Sequence, residues 1–199
     1  DNLWSVLFTT GYLTQVGVNE NGYYKLKIPN EEIRTVYKKQ IREWFNTTIQ
    51  EDTNSLNKLW NDFKNSECEG IENYLNKTLD NTISIFDTKS HDGKKEYANH
   101  MFLTGILSAN RNWIVKSNLE SGDGLADLII ETDNYNNGIV IEIKHSLTFD
   151  DMNKTCLKAL NQIKDKRYDT YLRNKGRNDI LIYGIAFYKK RCKVVVEKL

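Results

Sequence analysis

The stretch that most constrains this chain is Asp123–Lys144, D-G-L-A-D-L-I-I-E-T-D-N-Y-N-N-G-I-V-I-E-I-K. It reads as two strands, Leu125–Glu131 and Ile139–Lys144. Between them Asn134, Asn136, Asn137 and Gly138 supply turn chemistry, because Asn and Gly tolerate positive φ. Asp127 stands inside the first strand. Glu142 and Lys144 stand two apart in the second and therefore share a face. Charges in an otherwise apolar strand are costly to bury unless they are paired or bound to a metal. Two acids and a lysine gathered on one sheet point to a site for a hard cation, and the competing reading is a buried ion pair.

What precedes and follows supplies the frame. Leu3–Leu13 has helical spacing and stops near Gly11. Tyr12–Val16 and Tyr23–Ile28 are strand-like runs about Asn21-Gly22. Asn30 is a good N-cap, with Glu31 and Glu32 in the first turn that follows, and an apolar face from Ile33 to Phe45 carries that helix to about Ile49. Residues 1–50 thus read as a small winged-helix-like segment, able to bind DNA or to serve as a lid or linker. Residues 51–90 read as a helical connector, one helix over Leu56–Phe63 and another over Ile71–Leu79, interrupted by Cys68-Glu69-Gly70. From residue 91 the expected order is a helix about Lys94–Asn110, a strand at Trp113–Ser117, the central hairpin and a long helix about Asp150–Arg173. Strands at Ile180–Tyr188 and Cys192–Glu197 close it. This α-β-β-β-α-β-β order predicts a mixed α/β fold over 91–199, a central sheet with helices on it. Glu96 and His100, at i and i+4, share a face of the first of these helices.

Composition narrows the setting. The net charge is +1, but residues 151–199 carry 13 Lys+Arg against 5 Asp+Glu, whereas residues 1–150 carry 15 against 22. Such asymmetry is either a basic surface in the C-terminal part or a solvated helix face. Three widely spaced cysteines without C-x-x-C predict neither a disulfide framework nor a zinc site, and a reducing cytoplasm fits. No apolar run approaches the roughly 18 residues of a membrane span, so no membrane association is expected. The chain starts at Asp1 on a helix-like run, which suggests a part of a longer protein.

The pattern D-x14-E-x-K, from Asp127 to Glu142-Ile143-Lys144, resembles the PD-(D/E)xK nuclease superfamily. The runs A-L-N-Q-I-K-D-K-R-Y and I-Y-G-I-A-F-Y resemble one branch of it, the nuclease domain at the C-terminal end of bacterial AAA-ATPase-like proteins. L-W-S-V-L-F-T-T-G-Y-L and Y-Y-K-L-K-I-P-N-E-E-I-R resemble the segment that joins ATPase to nuclease there. Ala126 stands where the superfamily name has Pro, and many members lack that Pro. No G-x-x-x-x-G-K-[ST] occurs, so the ATPase core is missing. The resemblance implies a restriction-endonuclease-like mixed sheet and a metal-dependent nuclease, with DNA ahead of RNA as substrate and an upstream ATPase domain as partner. It implies Mg²⁺, with Mn²⁺ as substitute, held by Asp127, Glu142 and the Ile143 carbonyl, since Mg²⁺ takes oxygen ligands in an octahedron. Lys144 would lie beside the attacking water. Glu96 would complete the metal site. Gln162 and Tyr168 would support the site or the bound strand. His100 is expected to pack or make a local hydrogen bond, with a phosphate-side role as the alternative, and Lys166 to meet phosphate or to stand as an ordinary solvated lysine. The other reading the sequence leaves open is a catalytically silent module of the same fold, serving nucleic-acid or partner binding in an ATPase machine.

Overall fold

A computed structural model of the chain describes residues 2–19, 22–36, 53–82 and 92–199, and their side chains except at 2–4, 81–82 and 92–98. Two compact units divide it, Asp1–Glu51 and Asp52–Leu199. In the first, helix α1 (Asn2–Thr9) is followed by an antiparallel hairpin of β1 (Thr14–Val18) and β2 (Tyr24–Lys27). Residues 31–36 are helical, and Asn30 caps them as its sequence predicts, its Oδ1 accepting the Ile33 N–H at 2.9 Å. The remainder of the helix expected to reach Ile49 lies outside the described residues.

The second unit is built on a five-stranded mixed sheet. Helices α2 (Thr53–Asn65), α3 (Cys68–Thr82) and α4 (Asp92–Ser108) lead into β3 (Ile114–Ser121), β4 (Gly124–Glu131) and β5 (Asn137–His145). Helix α5 (Met152–Asp165) and the short α6 (Thr170–Asn174) then cross over to β6 (Asp179–Tyr188) and β7 (Arg191–Lys198). The strand order is β3-β4-β5-β6-β7, antiparallel except for the parallel β5–β6 pair. A parallel pair needs a long crossover, and this is the role of α5 and α6. The central strands β5 and β6 are covered on both faces and are accordingly almost unbroken apolar runs.

Residue alternation assigns the faces. Ile182 packs with Leu160 and Ile163 of α5, whereas its neighbour Tyr183 meets Phe63 of α2, ring centroids 5.1 Å apart. Helices α5 and α2 therefore lie on opposite faces. Trp60 of α2 donates from Nε1 to the Ile106 carbonyl at 3.2 Å, which ties α4 to the α2 side. Helix α5 comes close to the sheet at Gly184, where any Cβ would stand 2.2 Å from the Cys156 carbonyl oxygen. The free edge of β7 is capped by α3: Cys192 N–H donates to Asn76 Oδ1 and Val194 N–H to Glu72 Oε1. Among the described residues no helix is long and apolar enough to cross a membrane.

Two helix ends differ from expectation, for one physical reason. The helix expected over Asp150–Arg173 breaks after Asp165. Tyr168 N–H reaches back to the Ile163 carbonyl (3.0 Å) and Arg167 N–H to that of Lys164 (3.1 Å), with Arg167 at φ +53. The first break likewise falls at Ser66 (φ +64), with Glu67 N–H on the Asp62 carbonyl at 2.9 Å, and Cys68-Glu69-Gly70 opens α3 instead of interrupting it. Both ends share the longer backbone bond of a Schellman closure, and the end at Arg167 has the shorter one as well. The residue in the left-handed position is Arg or Ser, so the usual glycine signal is missing.

Candidate active site

The pairing of β4 with β5 ends at Leu128↔Ile141, and Asp127 and Glu142 stand one residue beyond it. There the Asp127 side chain takes over from the ladder: its Oδ2 accepts the Ile143 N–H at 2.7 Å. The Ile143 carbonyl leaves the strand on the same side as its N–H and so turns toward the gap between the strands. His100 on α4 is buried, with Nε2 3.0 Å from the Asp127 carbonyl oxygen; since that oxygen only accepts, Nε2 carries the proton. Ser117 Oγ lies 3.4 Å from the same nitrogen. His100 thus fixes the backbone on which Asp127 is mounted.

Glu142 is 4% exposed. Its Oε1 accepts from Lys144 Nζ at 3.2 Å, while Oε2 is buried without a hydrogen-bond partner. Burial, followed by the neighbouring Asp127 charge, pushes its carboxyl up to about 7. Burial also raises Asp127, against the Ile143 N–H and the His100 and Lys144 charges that lower it. Lys144 thus does not offset the burial and mutual repulsion of the two adjacent carboxylates.

Lys144 is held from the other side. Its Nζ donates to Gln162 Oε1 at 2.6 Å, and Gln162 Nε2 donates to the Tyr168 hydroxyl at 3.2 Å. Gln162 comes from the last turns of α5, Tyr168 from the closure after it. The Tyr168 ring lies over Gly124, where a Cβ would be 3.2 Å from the hydroxyl. Asp123 locks the arrangement: its carboxylate accepts from Arg167 Nη2 at 2.9 and 3.0 Å, and its N–H donates to the Lys166 carbonyl at 2.7 Å. This Gly122-Asp123-Gly124 clasp is not evident from the sequence.

The structure therefore brings Asp127, Glu142, Lys144, Gln162 and Tyr168 together, with His100 behind Asp127. Lys166 is exposed at the end of α5 and joins the clasp through its backbone. Glu96 belongs to α4, one turn before His100, and its side chain lies outside the described residues. Among the described residues no cluster of three His, Cys, Asp or Glu side chains is placed to hold a metal ion. The donor set that fits a hard cation is two carboxylates, one with an orphaned oxygen, and the Ile143 carbonyl. No match is found among curated proteins. The family model of the PD-(D/E)XK nuclease superfamily matches residues 94–197, just over half the chain, from α4 to the end of β7. Both the mixed sheet and the acid-acid-lysine cluster at its parting strands agree with that match, and the chain belongs to the PD-(D/E)XK nuclease superfamily.

Proposed function

We propose that this chain is a metal-dependent phosphodiesterase that hydrolyses nucleic acid, DNA ahead of RNA, and that it works with an AAA-type ATPase module. The observation that carries the chemistry is the orphaned, buried Oε2 of Glu142 beside Asp127. A buried carboxylate oxygen without a donor is expensive, and a divalent cation held by Asp127 and Glu142 would remove that cost. When bound, Mg²⁺ or Mn²⁺ supplies Lewis acidity toward the scissile phosphate and acidifies water in its shell. Asp127 and Glu142 would hold it, and the Ile143 carbonyl faces the same gap.

Lys144 places a fixed ammonium next to Glu142, where it orients the attacking water and stabilises charge building on phosphate. Gln162 and Tyr168 keep that ammonium from swinging away, so less order has to be imposed during the reaction. Coupling to an ATPase rests on the resemblance of Leu3–Leu13 and Tyr23–Arg34 to an ATPase–nuclease joining segment.

The test is cleavage of single- and double-stranded DNA and RNA with Mg²⁺ or Mn²⁺, set against EDTA. Wild-type protein is expected to cut only with metal, and Glu142→Gln and Lys144→Ala to lose about 10²–10³-fold or more. Equal cleavage in EDTA, or unchanged cleavage by either variant, contradicts the proposal.

A further inference from the structure

The segment that links β5 to α5, Ser146-Leu147-Thr148-Phe149-Asp150-Asp151, begins two residues after Lys144. Its polar groups are spent on one another and on the sheet. Ser146 N–H donates to the Phe187 carbonyl (2.8 Å) and Ser146 Oγ to the Thr148 carbonyl (2.8 Å). Thr148 Oγ1 donates to Asp151 Oδ2 (2.7 Å), and Met152 N–H to the Phe149 carbonyl (3.2 Å). Its apolar side chains point the other way: Leu147 is 76% exposed and Phe149 61%. A loop pinned by its own hydrogen bonds presents these side chains with little further ordering cost on binding.

The surroundings are cationic. Lys154 and Lys158 are exposed one turn apart on α5, and among the described residues neither forms an ion pair. Lys189 and Lys190 are exposed in the turn after β6, next to the Phe187 carbonyl that receives Ser146. Asp150 and Asp151, both exposed, add negative charge at the N-terminal end of α5, where the helix dipole favours it, and the lysines lie beyond them. Phe149 also walls a cavity of about 360 Å³ together with Asn153, Arg191, Lys193 and Glu72, in which Lys193 pairs with Glu72 and Arg191 with Asp80. Exposed aromatic and aliphatic groups on a rigid loop, with four exposed lysines on the adjoining helix and turn, suit a polyanion whose own apolar faces are uncovered. Single-stranded nucleic acid has that character: every base offers a π-face for stacking and every step a phosphate. Duplex bases are stacked on each other and offer Phe149 nothing.

We infer that the Leu147–Phe149 rim is a binding site for single-stranded nucleic acid, with bases against Phe149 and Leu147 and phosphates on Lys154 and Lys158, leading the strand to Lys144. That last clause rests on the nuclease reading; the binding site does not.

The experiment is fluorescence anisotropy with the whole chain in EDTA, using single-stranded DNA, single-stranded RNA and blunt duplex DNA. Phe149→Ala is expected to weaken single-strand binding about tenfold or more, while Phe149→Trp retains it and duplex binding is unchanged. The paired change Lys154→Glu and Lys158→Glu is expected to weaken single-strand binding and flatten its salt dependence. The proposal is overturned if Phe149→Ala, with an unaltered melting temperature, binds both single strands as wild type does. It is equally overturned if duplex binding falls by the same factor. Glu142→Gln separates this inference from the nuclease reading: it is expected to bind single strands normally without cutting them. Phe149-dependent binding without any wild-type cleavage removes the nuclease reading and leaves this site. Cleavage with binding indifferent to Phe149 does the reverse.

Discussion

At the scale of single residues, the site is a problem of uncompensated charge. Glu142 is raised from an ordinary value of 4.5 to about 7, first by burial and then by Asp127, which is raised as well. In metal-free protein the folded state therefore keeps protons that the unfolded state has released between about pH 4.5 and 7. Stability is free of this penalty below that window and falls as pH rises through it. The melting temperature of metal-free wild type is expected to drop between about pH 5 and 8 more steeply than that of Glu142→Gln. Mg²⁺ or Mn²⁺ should restore it at the upper end in wild type only. Identical pH slopes in the two proteins would sink this account of the pair. Asp127, Glu142 and Lys144 are legible in the sequence because charges inside apolar strands need a reason. The support of Lys144 by Gln162 and Tyr168 is not legible from spacing, since it depends on how α5 crosses the sheet and where its end turns.

The strands and helices of 91–199 follow from period-2 and helical patterns, and the expected α-β-β-β-α-β-β order holds with the short α6 added. The helix ends at Ser66 and Arg167 do not follow, because non-glycine residues occupy the left-handed position and leave no compositional mark. That detail matters for function: the closure at Arg167 is what turns Tyr168 back onto Gly124 and Gln162. The contact of α5 with β6 has its own marker in Gly184. A methyl there meets the Cys156 carbonyl, so Gly184→Ala is expected to cost about 1–3 kcal/mol, read as a lower denaturant midpoint at unchanged slope. An unmoved midpoint would mean that α5 is not seated as described.

For the molecule as a whole, every residue of the site comes from Asp52–Leu199, and from elements on both faces of one sheet. His100 reaches it from α4, while Gln162 and Tyr168 come from α5 and the closure after it. The sheet order was predictable only as far as hairpin and crossover rules go; the parting of β4 and β5 after Leu128↔Ile141 came from side-chain competition for the Ile143 N–H, which no pattern of hydrophobicity encodes. That parting makes the gap in which two acids and a carbonyl converge. The most direct measurement is a crystal of this protein soaked in Mn²⁺ and recorded for anomalous scattering. The account predicts one strong peak with Asp127 and Glu142 carboxylate oxygens at ligand distances near 2.1 Å. No peak between those carboxylates at saturating Mn²⁺, or carboxylate oxygens held more than about 6 Å apart, too far to share an ion, would contradict it.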